Sequence, residues 1–182
     1  MSGFLGKIMQ SIFGTKYEKD VKAIHPIVSK IKEEFAKLSS LSHDELRAKT
    51  GYFKQRIADY LSAVDSEITA FEHSLKENPD MEPGQKEDIY TQIDKLKKNR
   101  DRQLEEVLTK ILPNPFAVLK EPSRRLTKTK PFTATATDLD KDLSVNADYL
   151  SIEGNQVIYK NEWTASGGHI KWAMVHFDVQ LI

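Results

Sequence analysis

Apolar residues recur at helical spacing over most of the first two thirds of this chain. Phe4, Leu5, Ile8, Met9, Ile12 and Phe13 form the single stripe of a short amphipathic helix, with Gly14 as its stop. Such a stripe either docks on its own fold or rests on a membrane surface or a partner. A second helix is expected over residues 19–38, with Val21, Ile24, Ile27, Val28, Ile31 and Phe35 buried. Pro26 should kink or restart it. Ser42 and Glu45 then stand at capping-box spacing, with Leu41 and Leu46 placed to staple a new helix start. No clear breaker follows before Asn78-Pro79, since Gly51 sits inside a continuing pattern. Ile57, Leu61, Val64, Ile68, Phe71 and Leu75 step by four and three in alternation, an apolar heptad seam. Beyond a Pro/Gly turn, Ile89, Ile93, Leu96, Leu104, Val107, Leu108 and Ile111 resume the pattern, with Arg100 as a polar gap. Two such helices read as a long antiparallel helical hairpin with arms of roughly 40–50 Å.

The period changes in the last third. Pro113, Pro115 and Pro122 bracket Phe116-Ala117-Val118-Leu119, and an Arg124-Arg125 pair follows. Threonines then crowd residues 127–137, and alternation replaces the helical repeat. Tyr149-Leu150-Ser151-Ile152 and Val157-Ile158-Tyr159 flank Glu153-Gly154-Asn155-Gln156, while Trp163 and Ile170-Lys171-Trp172 flank Ser166-Gly167-Gly168. Both are hairpin signals. They predict a small antiparallel β-sheet of about three strands, with Trp163 and Trp172 as its core or cover. The fold class is mainly α with that sheet appended. The chain stops on the apolar run Phe177-Asp178-Val179-Gln180-Leu181-Ile182, which reads as a piece cut from a longer protein.

Composition removes function classes more readily than it supplies one. In 182 residues, 27 Lys plus Arg balance 27 Asp plus Glu, so no global field draws in nucleic acid or anionic membrane. The run Lys95-Leu96-Lys97-Lys98-Asn99-Arg100-Asp101-Arg102 mixes acids with bases and lacks aromatics, so it reads as a solvated face rather than a nucleic-acid patch. The absence of cysteine excludes disulfides and thiolate metal sites. No apolar run reaches the length of a transmembrane helix, and the N-terminus makes a poor signal peptide. None of the five histidines pairs at i, i+3 or i+4, so no metal site is expected. Asp138, Asp140 and Asp142 alternate like a calcium loop, but Leu143 and Tyr149 occupy the positions that need Gly and Glu. No phosphate-binding glycine pattern occurs and no catalytic set can be assigned. Physical reading alone leaves a helical-hairpin protein with a β appendage.

Four segments change that picture. Phe4-Leu5-Gly6-Lys7-Ile8 with Gly14-Thr15-Lys16 opens like the SecA family of bacterial export ATPases. Leu38-Ser39-Ser40-Leu41-Ser42-His43-Asp44-Glu45-Leu46-Arg47-Ala48-Lys49-Thr50 resembles that family's second signature, and residues 113–125 resemble its proline-started Ala-Phe-Ala-Val helix. Met174-Val175-His176-Phe177-Asp178-Val179-Gln180-Leu181-Ile182 resembles the family's Q motif, Met-Arg-His-Phe-Asp-Val-Gln-Leu-Ile, with Val175 in place of the usual Arg. All four fall in the family's order and cover about half of the chain.

The resemblance implies the N-terminal edge of a RecA-like P-loop motor domain, spanning residues 1–182 and ending before Walker A. Residues 62–102 and 127–171 would be insertions, a distal helical hairpin and a small β-rich subdomain. The resemblance further implies ATP and Mg2+ as cofactors of the full-length protein, with Gln180, Phe177 and Met174 recognising adenine. Its implied partners are preproteins, the SecYEG channel and, through residues 1–14, an acidic phospholipid surface. Its implied location is cytoplasmic, peripheral to the inner membrane. Without Walker A and B the piece alone would be inactive. The other open reading is a non-enzymatic helical-hairpin interaction module with a small β domain.

Overall fold

The side chains of Ser42 and Glu45 settle where the longest helix begins. Ser42 N–H donates to Glu45 Oε2 at 2.7 Å, and Glu45 N–H donates to Ser42 Oγ at 3.1 Å, a reciprocal capping box. A computed structural model describes residues 16–128 and 131–180. The stripe expected within residues 1–14 lies outside the described residues. Helix α1 (Lys16–Lys37) leads through a 3-10 turn (Leu38–Ser40) to α2 (His43–Glu77), followed by α3 (Pro83–Ile111) and α4 (Pro113–Leu126). Strand β1 (Phe132–Thr135), the short α5 (Asp138–Ser144), and strands β2 (Leu150–Glu153), β3 (Gln156–Tyr159), β4 (Glu162–Ala165) and β5 (Gly168–Lys171) complete the order, before a last 3-10 turn (Asp178–Gln180). The described residues divide into two compact units, one made of those up to Leu46 together with those from Pro113 onward, the other Arg47–Leu112.

In the first unit α1 packs on α4. Its core joins Ile31, Leu38, Leu46 and Ala117, with Ile27, Phe35, Leu41, Phe116 and Val118 against them. Of the two expected outcomes at Pro26, a restart does not occur, since α1 runs through it without a break. It sits on the exposed side, so its missing N–H falls away from the buried stripe that holds the helix in place. Val21, expected in that stripe, is exposed.

The β region departs further from expectation. β1, β3 and β2 form one antiparallel sheet in that order, and β4 and β5 form a second, separate sheet of two strands. β3 already has both edges occupied, with Ala134 and Ile152 flanking Val157. The segment two residues further on therefore pairs with its own hairpin partner, Trp163 opposite Ile170. Ser166 (φ 50°) and Gly167 (φ 78°) make that turn, two successive left-handed residues as a type I′ turn requires. The three-stranded sheet closes on Ala134, Leu150 and Val157. Trp163 and Trp172 are not its core; their rings face each other at 6.2 Å beside the two-stranded hairpin. Asp138, Asp140 and Asp142 stand on helix α5 rather than a loop. Asp140 is buried there, accepting from the Thr137 N–H at 2.8 Å in a second capping box and from the Tyr159 hydroxyl.

In the second unit the chain reverses between α2 and α3. Early residues of one helix meet late residues of the other: Tyr60 donates to Glu106 at 3.0 Å, and Glu72 faces Lys97 at 3.5 Å. Leu61, Val64 and Ile68 are buried, with Ile57, Leu96 and Leu104 against them. Leu108, grouped with this stripe by spacing, is exposed. Pro83 opens α3 at its first turn, where a missing N–H costs nothing.

Candidate functional site

Helix α4 offers two working faces. Pro113, Ala117, Glu121 and Arg125, spaced four apart, all lie buried. Glu121 is 0% exposed. Its carboxylate accepts from Arg124 Nε at 2.7 Å and from Arg125 Nε at 2.8 Å. Burial alone pushes this carboxyl up, but the hydrogen bonds and charges of Arg124 and Arg125 outweigh it and hold it below the ordinary carboxylate value. Arg125 then donates to Leu38 O at 3.2 Å and Leu41 O at 2.8 Å, and its Nη1 meets His43 Nδ1 at 2.7 Å. A guanidinium can only donate, so His43 Nδ1 accepts. One arginine thus ties α4 to the end of α1 and the start of α2. Next to it His43 stacks on Phe132 at 4.4 Å, and Asp44 accepts from Thr135 N–H at 2.9 Å and Thr135 Oγ1 at 2.8 Å, anchoring β1.

The second face of α4 holds the segment from Met174 to Gln180. Ser123 Oγ lies 2.9 Å from His176 Nδ1. Lys120 Nζ donates to Asp178 Oδ1 at 2.8 Å, and Lys32 Nζ of α1 approaches Asp178 Oδ2 at 3.2 Å. Those two ammonium groups hold the Asp178 carboxyl below its ordinary value. Lys120 also lies over the Phe35 ring, 5.3 Å from its centroid.

Gln180 closes the final turn on Phe177. Gln180 N–H donates to Phe177 O at 2.9 Å, and Phe177 N–H donates to Gln180 Oε1 at 2.8 Å. That amide oxygen keeps a second lone pair, and Nε2 has no partner among the described residues. The Phe177 ring is 69% exposed and Met174 is 44% exposed. Trp172 Nε1 donates to Met174 O at 2.6 Å, fixing the backbone just before the segment. Met174, Phe177 and Gln180 therefore share one short stretch, with Phe177 and Gln180 directly bonded. Sequence reasoning missed Lys32, Lys120 and Ser123, which hold this stretch from 53 to 146 positions away in the chain and leave no local spacing to read.

A family model described as the SecA DEAD-like domain matches residues 9–182. The chain belongs to the SecA family. Curated relatives agree: the protein translocase subunit SecA of Porphyromonas gingivalis strain W83 is 40% identical over 174 residues, 96% of this chain. Those of Amoebophilus asiaticus and Flavobacterium psychrophilum are each 42% identical, over 97% and 98% of it. The matched region is only 15–16% of those relatives' length. No solved structure matches the chain. Among the described residues, no helix is long and apolar enough to cross a membrane.

Proposed function

We propose that this chain is the N-terminal part of an ATP-driven preprotein translocase, contributing the adenine-recognising edge of its first nucleotide-binding domain. The observation that supports this reading is the exposed pairing of Phe177 with the Gln180 amide, next to Met174, in a segment of a SecA-family chain. Adenine presents an amino donor at N6 and an acceptor at N7, and a Gln amide answers both at once. The open lone pair of Gln180 Oε1 suits N6 and its Nε2 suits N7. Phe177 and Met174 supply apolar surface for the ring. Val175 cannot make the polar contact of the arginine usual at its position.

When ATP and Mg2+ are bound, they supply the phosphoryl chemistry of the full-length protein, and this chain's own residues grip the base. No glycine-rich phosphate loop occurs in these 182 residues, so the phosphate end is gripped elsewhere. Its work would be pushing preproteins through the SecYEG channel at the cytoplasmic face of the inner membrane. Residues 1–14 would meet acidic phospholipid mainly by apolar burial. Residues 62–102 and 127–171 are read as insertions relative to shorter family members.

The test is turnover of ATP and GTP by the full-length protein and its Gln180→Ala variant. Losing the amide should cost about 1–2 kcal/mol, roughly 5- to 30-fold in the Michaelis constant for ATP, and blur the preference over GTP. Unchanged constants and preference would make Gln180 structural. The 182-residue chain by itself should bind ATP weakly, since phosphate and metal contacts supply most recognition in such motors. Submicromolar affinity by calorimetry would contradict that.

A further inference from the structure

We propose that Lys120 and Lys32 are positioning residues, which act through Asp178 to set where the Gln180 amide stands. This rests on the adenine reading of Gln180 above and adds what holds that residue in place. Asp178 is the first residue of the turn that Gln180 closes, two positions before it. Its two carboxylate oxygens are divided between two helices, Oδ1 to Lys120 of α4 and Oδ2 to Lys32 of α1. Helices α1 and α4 already form one packed core through Ile31, Ala117, Phe35 and Phe116. A carboxylate bridging both fixes the turn against a rigid pair of elements rather than a single flexible side chain.

The two lysines do unequal work. The Lys120 side chain is only 12% exposed and lies over Phe35, so its ammonium is held before Asp178 arrives. Lys32 is 62% exposed and adds a weaker, solvent-screened hold. His176, pinned by Ser123, restrains the same segment two residues upstream. Phe177 lies between these anchors, and its N–H donates to the Gln180 amide oxygen just beyond them. A 1 Å drift of the amide would spoil a two-point contact with a planar base, because both hydrogen bonds depend on one geometry.

Two readouts test this. In the 182-residue chain, amide hydrogen exchange at Phe177 and Gln180 should quicken at least about tenfold in Lys120→Met, while amides in the middle of α4 keep their protection. In the full-length protein, Lys120→Met and Asp178→Asn should each raise the Michaelis constant for ATP about three- to tenfold with kcat within twofold. The double variant should be no worse than the poorer single one, as a shared interaction requires. Lys120→Arg should restore most of the loss, and Lys32→Met should show the smallest effect. Unchanged exchange at Phe177 and Gln180 in Lys120→Met overturns the proposal whatever the kinetics. If Gln180→Ala raises the Michaelis constant but Lys120→Met and Asp178→Asn do not, the positioning role is wrong and the adenine reading stands. If Gln180→Ala itself leaves it unchanged, the adenine reading and the role built on it fall together.

Discussion

The two compact units hold their helices by opposite means. Helices α2 and α3 meet along an apolar seam of Leu61, Val64 and Ile68, and their charges pair at the margins, as Arg100 does with Asp65. Helices α1 and α4 also share an apolar core, but a buried ionic network lies alongside it: Glu121, Arg124 and Arg125, with Leu38 O, Leu41 O and His43 as partners. A seam gains by adding area, and each residue contributes on its own. Paired charges in the interior gain little net stability, yet they cost heavily when one partner is removed. The seam thus tolerates variation, whereas the network demands one arrangement. That demand falls on the unit carrying the candidate site, where geometry matters most.

The largest effect should therefore come from Glu121→Ala. It leaves Arg125 buried without its carboxylate, for an expected loss of about 3–5 kcal/mol in chemical denaturation. Replacing the pair together, as Glu121→Leu with Arg125→Met, should recover much of that. A double variant as unstable as the single would show that Arg125's carbonyl contacts, not the ion pair, dominate. The same contrast gives a pH signature. Because the folded-state value of Glu121 is depressed, its contribution is fully present above the ordinary carboxylate value and is lost as pH falls through the folded one. Acid should loosen α4 before it loosens the seam of α2 and α3, and Glu121→Gln should flatten that dependence. Residue-resolved hydrogen exchange between about pH 5 and pH 2 would follow both.

Next in size is Leu61→Ala, which opens the seam where it is only 2% exposed. A loss of about 2–4 kcal/mol is expected, with Leu61→Met below about 1.5 kcal/mol since volume is kept. Equal losses from both would mean that the seam is as exacting as the ionic network, and the contrast would fail.

How much of this was legible in the sequence follows the same division. The seam declared itself by its four-three steps, because burial along a helix is a local periodic property. Ser42 with Glu45 and the turn at Ser166-Gly167 were equally plain, being contacts within a few residues. Glu121, Arg124 and Arg125 stood at helical spacing too, but their partners Leu38, Leu41 and His43 lie 82 to 87 positions away. Spacing alone cannot separate such a network from a solvated face. Asp140 shows the limit from another side: Leu143 and Tyr149 already argued against a calcium loop, but its actual role, closing the capping box with Thr137 and accepting from the Tyr159 hydroxyl, depends partly on a residue 19 positions away. For the candidate site, Met174, Phe177 and Gln180 came from resemblance to a motif, and the lysines that hold Asp178 had no sequence signal at all.

A third and smaller effect belongs to Ser42→Ala. It removes the acceptor of the Glu45 N–H while leaving the returning Glu45 contact in place. About 1 kcal/mol is expected by thermal or urea unfolding. A loss above about 2 kcal/mol would indicate that the cap also steadies the Leu38 and Leu41 carbonyls on which Arg125 depends.

The smallest effect should be at Arg100 and Asp65, and it completes the comparison because these two are also an arginine and a carboxylate in close contact. Arg100 Nε lies 2.5 Å from Asp65 Oδ1, as near as the ion pairs around Glu121. The difference is water: both side chains are more than a third exposed, at 35% and 43%, against 0% for Glu121. Solvent already hydrates each charge, so separating them forfeits little, and salt screens what remains. Arg100→Met and Asp65→Asn should each move the melting temperature by less than about 2 °C, with the gap narrowing further in about 0.5 M salt. The methionine keeps the apolar stem of Arg100 over the seam, so only the charge is tested. If either variant instead approaches the cost of Glu121→Ala, proximity rather than burial decides what an ion pair is worth in this molecule, and the contrast between the two units dissolves.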